Sequence, residues 1–419
     1  MSSLLDRLKV LGISLKEQEG SSPENAPSVP IAKVVEGKEF STKDGEIFLV
    51  KKTFPQEYRH GVQPLSRRPG LGIIGQYLGA ASGVDYSQIV FLDTETSGLA
   101  GGSGVFAFMV GLGFFEENGF KVIQIFMRNP DEEPGLLTAL DGFLNSFQTM
   151  VSFNGKSFDI PLLNTRYILN QRKSPLEAKL HLDLLQLARK IWRDRLVNRS
   201  LGELEREILA FTRQEEDVPG YLIPQLYFDY LKTGNATSLR SIFYHNTIDI
   251  VSMAALFLFI TQIIESPLQY DIPSLDVAAL ARLLEGLGKL EEAASLYEYC
   301  IDRGLPSSAF IKTIERYALM RKKQGHLELS SILWAKAAER GYIPAHIELA
   351  KIYEHYSKDF LLALEWVNRA IERVQSDFSL PGYLRKEYLD NLHHRNARLN
   401  SKLARKNHHF LENREKENE

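Results

Sequence analysis

The chain of 419 residues has a single cysteine, Cys300, so no disulfide can form within it, and a reducing compartment is the simpler setting. It has no surplus of positive charge either: 50 Lys and Arg against 53 Asp and Glu leave a net charge of −3. Any binding of nucleic acid must then come from a local patch or bound metal, not from the overall field. Long apolar runs are also missing, and the longest, Ala254-Ala-Leu-Phe-Leu-Phe-Ile260, is too short to cross a bilayer. The stretch from Met1 to Val10 contains no apolar core followed by a small-residue cleavage site. These absences lead us to expect a cytoplasmic protein with no membrane partner. Hydrophobic residues at 44% and charged residues at 25% are ordinary globular values. At about 150 residues per domain, the length suggests two domains plus extensions.

What is present centres on Ile89-Val-Phe-Leu-Asp93-Thr-Glu95-Thr-Ser-Gly98-Leu99. A run of β-branched and aromatic residues reads as a buried strand, and it delivers Asp93 and Glu95 two residues apart, on one face. Two carboxylates so placed repel each other, and a divalent cation between them would relieve the conflict. An isolated Asp-x-Glu more often just ends a strand facing water, so further acids are needed.

Ahead of this stretch, residues 3 to 17 read as a short amphipathic helix, and Gly20 to Pro30 as a linker, together a flexible arm over 1–37. Residues 38–84 read as an N-terminal cap with one or two strands, and His60 as a hydrogen-bonded structural residue. Three strands follow, Ile89–Asp93, Val105–Phe115 and Phe120–Phe126, the last two joined by a hairpin at Asn118-Gly119. A helix over about 132–147, a short strand Thr149–Phe153 and a helix over about 158–171 complete an α/β pattern with a mixed sheet. Gly155-Lys156-Ser157 is not a phosphate-binding P-loop, because the required glycine five residues earlier is Met150. The glycines at 101 to 104 read as a turn or a place of close approach by substrate.

The third acid is Asp159, in Phe153-Asn-Gly-Lys-Ser-Phe-Asp-Ile-Pro-Leu-Leu163. Asn154-Gly155 turns the chain off a strand, Ser157 is placed to cap the new helix, and Asp159 falls in its first turn. The fourth lies in a long helix over about 238–264 that carries Tyr244-His245-Asn246-Thr-Ile-Asp249. His245, Asn246 and Asp249 share an arc of about 100°, whereas Tyr244 points away. A polar cluster in so apolar a helix calls for a partner.

Asp93, Glu95, Asp159 and Asp249 with His245 resemble the DEDD exonuclease superfamily of ribonuclease H-like proteins. More narrowly, Phe91 to Leu99, Val110-Gly-Leu-Gly113, Ser152 to Leu163 and His245-Asn-Thr-Ile-Asp-Ile250 look like the YprB-type ribonuclease H-like domain, over residues 85–265. The resemblance implies a ribonuclease H-like mixed sheet flanked by helices. It also implies four carboxylates holding two divalent metal ions, Mg²⁺ or Mn²⁺, and hydrolysis of phosphodiester bonds of DNA or RNA from a single-stranded 3′ end. Members with this pattern carry tyrosine four residues before the last aspartate or histidine five before it; here His245 stands at four and Tyr244 at five. His245 is the better placed to handle the attacking water. Asp183, in His181-Leu-Asp-Leu-Leu185, and Asn246 are candidates to support the site from behind, Asp183 equally as a plain helix cap. Asn154, Lys156 and Arg166 are candidate substrate contacts, the two cations equally ordinary surface charges.

After a proline-marked boundary at 265–273 the chain reads as wholly helical. Gly288 and Gly325 recur at 37 residues, Ser330 and Ala363 at 33, close to the period of about 34 for tetratricopeptide repeats, which residues 275–375 resemble. Such repeats imply a groove for a protein partner. Residues 376–419 form a basic helix and tail, with Arg385, Arg395, Arg398, Lys402, Arg405 and Lys406, that would either lie along nucleic acid or be solvated. Two functions fit: a metal-dependent exonuclease with a helical-repeat docking domain, or a non-catalytic module that grips nucleic acid and scaffolds proteins. Four mutually repelling acids favour the first.

Overall fold

The computed structural model describes residues 28–66, 68–81, 83–98, 104–214 and 216–416, with side chains to 406. The expected helix at 3–17 and the glycines at 101 and 102 lie outside these residues. Two compact units form. The first takes the described residues up to Leu185 with Ser200–Phe259, and the second takes Gln186–Arg199 with those from Ile260 onward.

The first unit is built on strands β1 (Lys38–Thr42), β2 (Gly45–Pro55), β5 (Ile89–Thr96), β6 (Ala107–Glu116), β7 (Gly119–Phe126), β8 (Thr149–Ser152) and β9 (Leu180–Asp183) in one sheet; β3 (Arg59–His60) and β4 (Gln63–Pro64) pair separately. The sheet order is β1-β2-β7-β6-β5-β8-β9, with β5, β8 and β9 parallel and the rest antiparallel. Residues 38–55, expected in a cap, are therefore two strands of the main sheet, paired through Phe48 opposite Phe126. Propensity marks such strands but does not name their partners.

Helices cover both faces: α1 (Gly72–Leu78), α2 (Glu133–Leu144), α3 (Asp159–Leu169), α4 (Leu184–Ile191), α5 (Leu201–Glu207), α6 (Ile223–Thr233) and α7 (Leu239–Glu265). A strand covered on both sides reads as a continuous apolar run, as β5 does. On one face Val90 and Leu92 join Leu162, Leu163 and Tyr167 of α3 in the core. On the other, Phe91 packs edge-on against Phe257 of α7 and against Phe115 and Phe120. Gly111 and Gly113 of β6 make room for α7: a Cβ at 111 would stand 2.2 Å from Asn246 Oδ1, and one at 113 would stand 2.3 Å from Ile250 Cγ2. This is the physical content of Val110-Gly-Leu-Gly113.

By length and composition α7 could cross a membrane, with a mean hydropathy of 2.0 in its richest window, which the count of consecutive apolar residues understated. That window is 89% buried within the protein, as in a core helix.

The second unit contains paired helices: α8 (Ser274–Gly286), α9 (Leu290–Arg303), α10 (Ser307–Lys323), α11 (Leu327–Glu339), α12 (Ile343–Ile352), α13 (Phe360–Ser376) and the long α14 (Gly382–Lys416). The repeated glycines sit in the turn inside each pair, Gly288 at φ 78° and Gly325 at φ 86°, a left-handed conformation that only glycine takes freely. In the third pair Lys358 takes that place at φ 55°, after a π-helical turn over Tyr353–Ser357. Ala281, Ala318 and Ala350 are fully buried and let the helices approach.

The basic helix is less available than its sequence suggests. Glu354, buried in the π-turn, accepts hydrogen bonds from Arg395 (2.6 Å), Arg398 (2.8 Å) and Lys402 (2.8 Å) of α14. Burial pushes its pKa up, but Arg398 and Lys402 together outweigh that and hold it down to about 2.

Candidate active site

The site begins at the centre of the sheet. Asp93 and Glu95 lie within β5, not at its end, and a register shift between Glu95 and Thr96 marks the strand's departure from β6. Asp93 Oδ2 accepts from Asn246 Nδ2 of α7 at 2.8 Å. The Asn246 amide is itself fixed, because its Oδ1 accepts from Gln124 Nε2 of β7 at 3.0 Å and Gln124 also donates to the Phe243 carbonyl at 2.8 Å. Asn246 thus links α7 to Asp93 of β5.

Asp159 opens α3, where Thr94 Oγ1 of the neighbouring strand donates to its Oδ1. Ser157 does not cap that helix; the turn before it is braced from elsewhere. Asp183 accepts from the backbone N–H of Asn154 (2.9 Å) and Lys156 (3.2 Å) while also capping the next helix through Leu185 N–H (3.0 Å). Asn154 takes φ 65°, and a Cβ on Gly155 would stand 2.4 Å from Ser152 Oγ, so the Asn-Gly pair is what the turn requires. Asn154 and Lys156 are exposed at this rim. Arg166 points elsewhere: it forms a two-pronged ion pair with Glu133 of α2, at 2.6 and 2.7 Å, which makes it a brace between helices instead of a substrate contact.

Asp249 and His245 project from α7. His245 Nε2 lies 3.6 Å from Asp249 Oδ2, and its Nδ1 lies 2.8 Å from Asp217 Oδ1. Tyr244 turns away, its hydroxyl accepting from Gln214 N–H at 3.2 Å. The regular helix therefore brings the histidine, not the tyrosine, beside the last aspartate.

Burial, with repulsion from Asp249 and Asp159, holds the Asp93 carboxyl well above the ordinary range, against the hydrogen bond from Asn246. Burial and then the charges of Asp93, Asp249, Asp159 and Asp217 do the same to Glu95. Asp159 is pushed up to about 6 by burial, which outweighs the Thr94 bond. Such shifts mark groups gathered against their electrostatic preference.

Among the described residues no three Asp, Glu, His or Cys side chains stand in a ready-made metal cluster. Asp93 is turned to Asn246, Asp159 to Thr94 and Asp249 to Arg213. The donor set nevertheless fits a divalent cation chemically. All four are hard carboxylate donors, and Glu95 Oε1 is buried with no hydrogen-bond partner.

Three members of the cluster escaped the sequence reading: Glu205 of α5, and Arg213 and Asp217 in the segment after it. One signal was there. Leu201, Leu204, Glu205 and Ile208 follow the spacing of an apolar helix face, and the glutamate on it is only 2% exposed. His60 is structural as expected: it is fully buried, stacked on Phe211 at 3.7 Å and bonded to Ser252 Oγ at 2.7 Å, and burial lowers its pKa to about 3.

Residues 90–260 match a family model described as RNase_H superfamily. Over 379 residues it is 29% identical to the "Uncharacterized protein YprB" of Bacillus subtilis (strain 168), spanning 88% of this chain and 89% of that protein. The family B DNA polymerase of the hyperthermophilic archaeon Pyrobaculum calidifontis is similar at TM-score 0.31 and 16% identity, over 50% of this chain and 29% of the polymerase chain. So slight a likeness carries no argument.

Proposed function

We propose that this protein is a metal-dependent nuclease that hydrolyses phosphodiester bonds from a 3′ end of single-stranded DNA or RNA. The observation that carries the reading is the convergence of Asp93, Glu95, Asp159 and Asp249 from three distant segments, with their mutual repulsion as a cost the fold accepts. A protein that only bound nucleic acid would gain nothing from gathering these four acids together, Glu95 and Asp159 buried and Asp93 and Asp249 partly so. Asp93, Glu95, Asp159 and Asp249 would hold two divalent ions, Mg²⁺ or Mn²⁺. Bound there, such ions neutralise charge on the phosphate and acidify a water molecule.

The chain's own residues supply the rest. Asp217 Oδ1, 2.8 Å from His245 Nδ1, is placed to accept a proton from that nitrogen, and Nε2 faces the Asp249 side of the cluster. His245 is thereby placed to accept a proton from the attacking water. Asn154 and Lys156, exposed at the rim, meet the phosphate backbone. The helix pairs of 275–375 serve as tetratricopeptide-like docking for a protein partner.

The test is degradation of 5′-labelled single-stranded DNA and RNA with Mn²⁺ or Mg²⁺, comparing wild type with Asp93→Ala and Asp249→Ala. The reading expects metal-dependent shortening from the 3′ end, abolished by both substitutions. Binding without cleavage of either substrate would replace it with the scaffolding module.

A further inference from the structure

One cation sits among these acids. Arg213 donates through Nε and Nη2 to both oxygens of Glu205, at 2.8 and 2.7 Å, the paired geometry that guanidinium and carboxylate share. Nη2 also donates to Asp249 Oδ1, and Nη1 reaches Asp217 Oδ2 at 3.3 Å. A single Arg213 thus touches three carboxylates that come from α5, α7 and the segment between α5 and α6.

A plain stabilising ion pair would need only Glu205. What the extra contacts do follows from the charges around Asp249. Asp93 and Glu95 both feel the charge of Asp249, and the repulsion is mutual. Left alone, the Asp249 side chain would rotate away from them. Arg213 draws one of its oxygens and leaves Oδ2 on the side of His245. Glu205, 2% exposed on the apolar face of α5, prevents the guanidinium from following Asp249 outward. The segment is registered on α7 by Gln214 N–H donating to the Tyr244 hydroxyl. Asp217, four residues after Arg213, fixes His245 from the same segment.

We infer that Arg213, anchored by Glu205, is the positioning residue that sets Asp249 for cation binding. This rests on the nuclease reading of the same site. Lysine cannot substitute, because one ammonium cannot hold Glu205 by two bonds and Asp249 by a third in fixed directions.

The experiment is Mn²⁺ titration of the full chain, followed by calorimetry and by the electron paramagnetic resonance signal of free Mn²⁺, with melting temperatures measured alongside. Wild type, Asp93→Ala, Arg213→Lys and Glu205→Gln are compared. The expected result is uptake in the wild type that Asp93→Ala removes, and affinity lower by about 10- to 100-fold in both Arg213→Lys and Glu205→Gln, the usual effect of losing an orienting partner. The double variant should be no worse than either alone, since both break one device. Glu205→Gln keeps the shape of the side chain and decides the matter if Arg213→Lys does not fold. Unchanged Mn²⁺ affinity with a lower melting temperature would make Arg213 a structural ion pair, and tighter binding would make it a competitor of the metal; either overturns the inference alone. A wild type without uptake sensitive to Asp93→Ala overturns the nuclease reading and this inference with it.

Discussion

Replacing Glu354 by Gln removes the one charge that holds three cations of α14 in place. The interval between the ordinary glutamate value of 4.5 and about 2 gives the scale. At about 1.36 kcal/mol for each pH unit, it corresponds to about 3 kcal/mol. Arg398 and Lys402 are 41% and 37% exposed, so solvent screens them. That brings the expected loss to about 2 kcal/mol. The folded carboxyl is the more acidic, so this stability is fully present above about pH 4.5 and disappears as pH falls toward about 2. The chain's three tryptophans, Trp192, Trp334 and Trp366, all lie in the second unit, so their fluorescence during urea unfolding reports on that unit alone. With a denaturant slope of about 2 kcal/mol per molar, the midpoint at pH 7 should fall by about 1 M. The difference from wild type should narrow as the pH drops below 4.5. An unchanged midpoint at pH 7, or a gap indifferent to pH, would refute the account of Glu354 as the anchor of α14.

Gly111→Ala would push a methyl group into Asn246 and Ile250, costing about 1–3 kcal/mol of overpacking, visible as a lower melting temperature by circular dichroism, and it should weaken Mn²⁺ uptake by displacing Asn246 from Asp93. Glu95→Gln replaces a buried carboxyl, one oxygen of which has no hydrogen-bond partner, by a group that cannot ionise against its acidic neighbours, so without metal and at high pH the variant should be more stable than wild type by on the order of 1 kcal/mol. Adding Mn²⁺ should raise the melting temperature of the wild type only, and equal responses in both proteins would count against Glu95 as a ligand. Asp183→Asn keeps one acceptor oxygen but turns an NH2 donor toward the N–H group or groups bonded to the other; hydrogen exchange should accelerate at Lys156, or at Asn154 and Leu185, and unaltered protection at all three would refute the bracing role.

The parts of this protein that were legible in the sequence are those written locally. Asp93 and Glu95 follow from alternation along β5, and Asn246 and Asp249 from helical spacing on α7. Gly288 and Gly325 follow from a turn that repeats. Pairings across long separations were not legible. Nothing in Phe48 names Phe126 as its neighbour, nothing in Arg166 names Glu133, and a guanidinium that meets Asp249 from 36 residues away leaves no period to find. The partner of Arg395, Arg398 and Lys402 was hidden for the same reason, because Glu354 lies on another element. Tyr244 and His245 could be ordered by angle alone, and the structure keeps that order.

Asp93 meets Asn246 across 153 residues. At about 5–20 residues per second, a nascent chain carries β5 for roughly 8–30 s before the residue that covers it has been made. Strands β6 and β7 can pair early, since their hairpin is local, but the partner of Asp93 waits for α7. Ribosomal pauses encoded before residue 246 prolong the time in which two like charges stand on an incomplete sheet, and pauses encoded after it do not. Synonymous recoding of the two regions should therefore change the yield of folded protein unequally, with the upstream region the more sensitive.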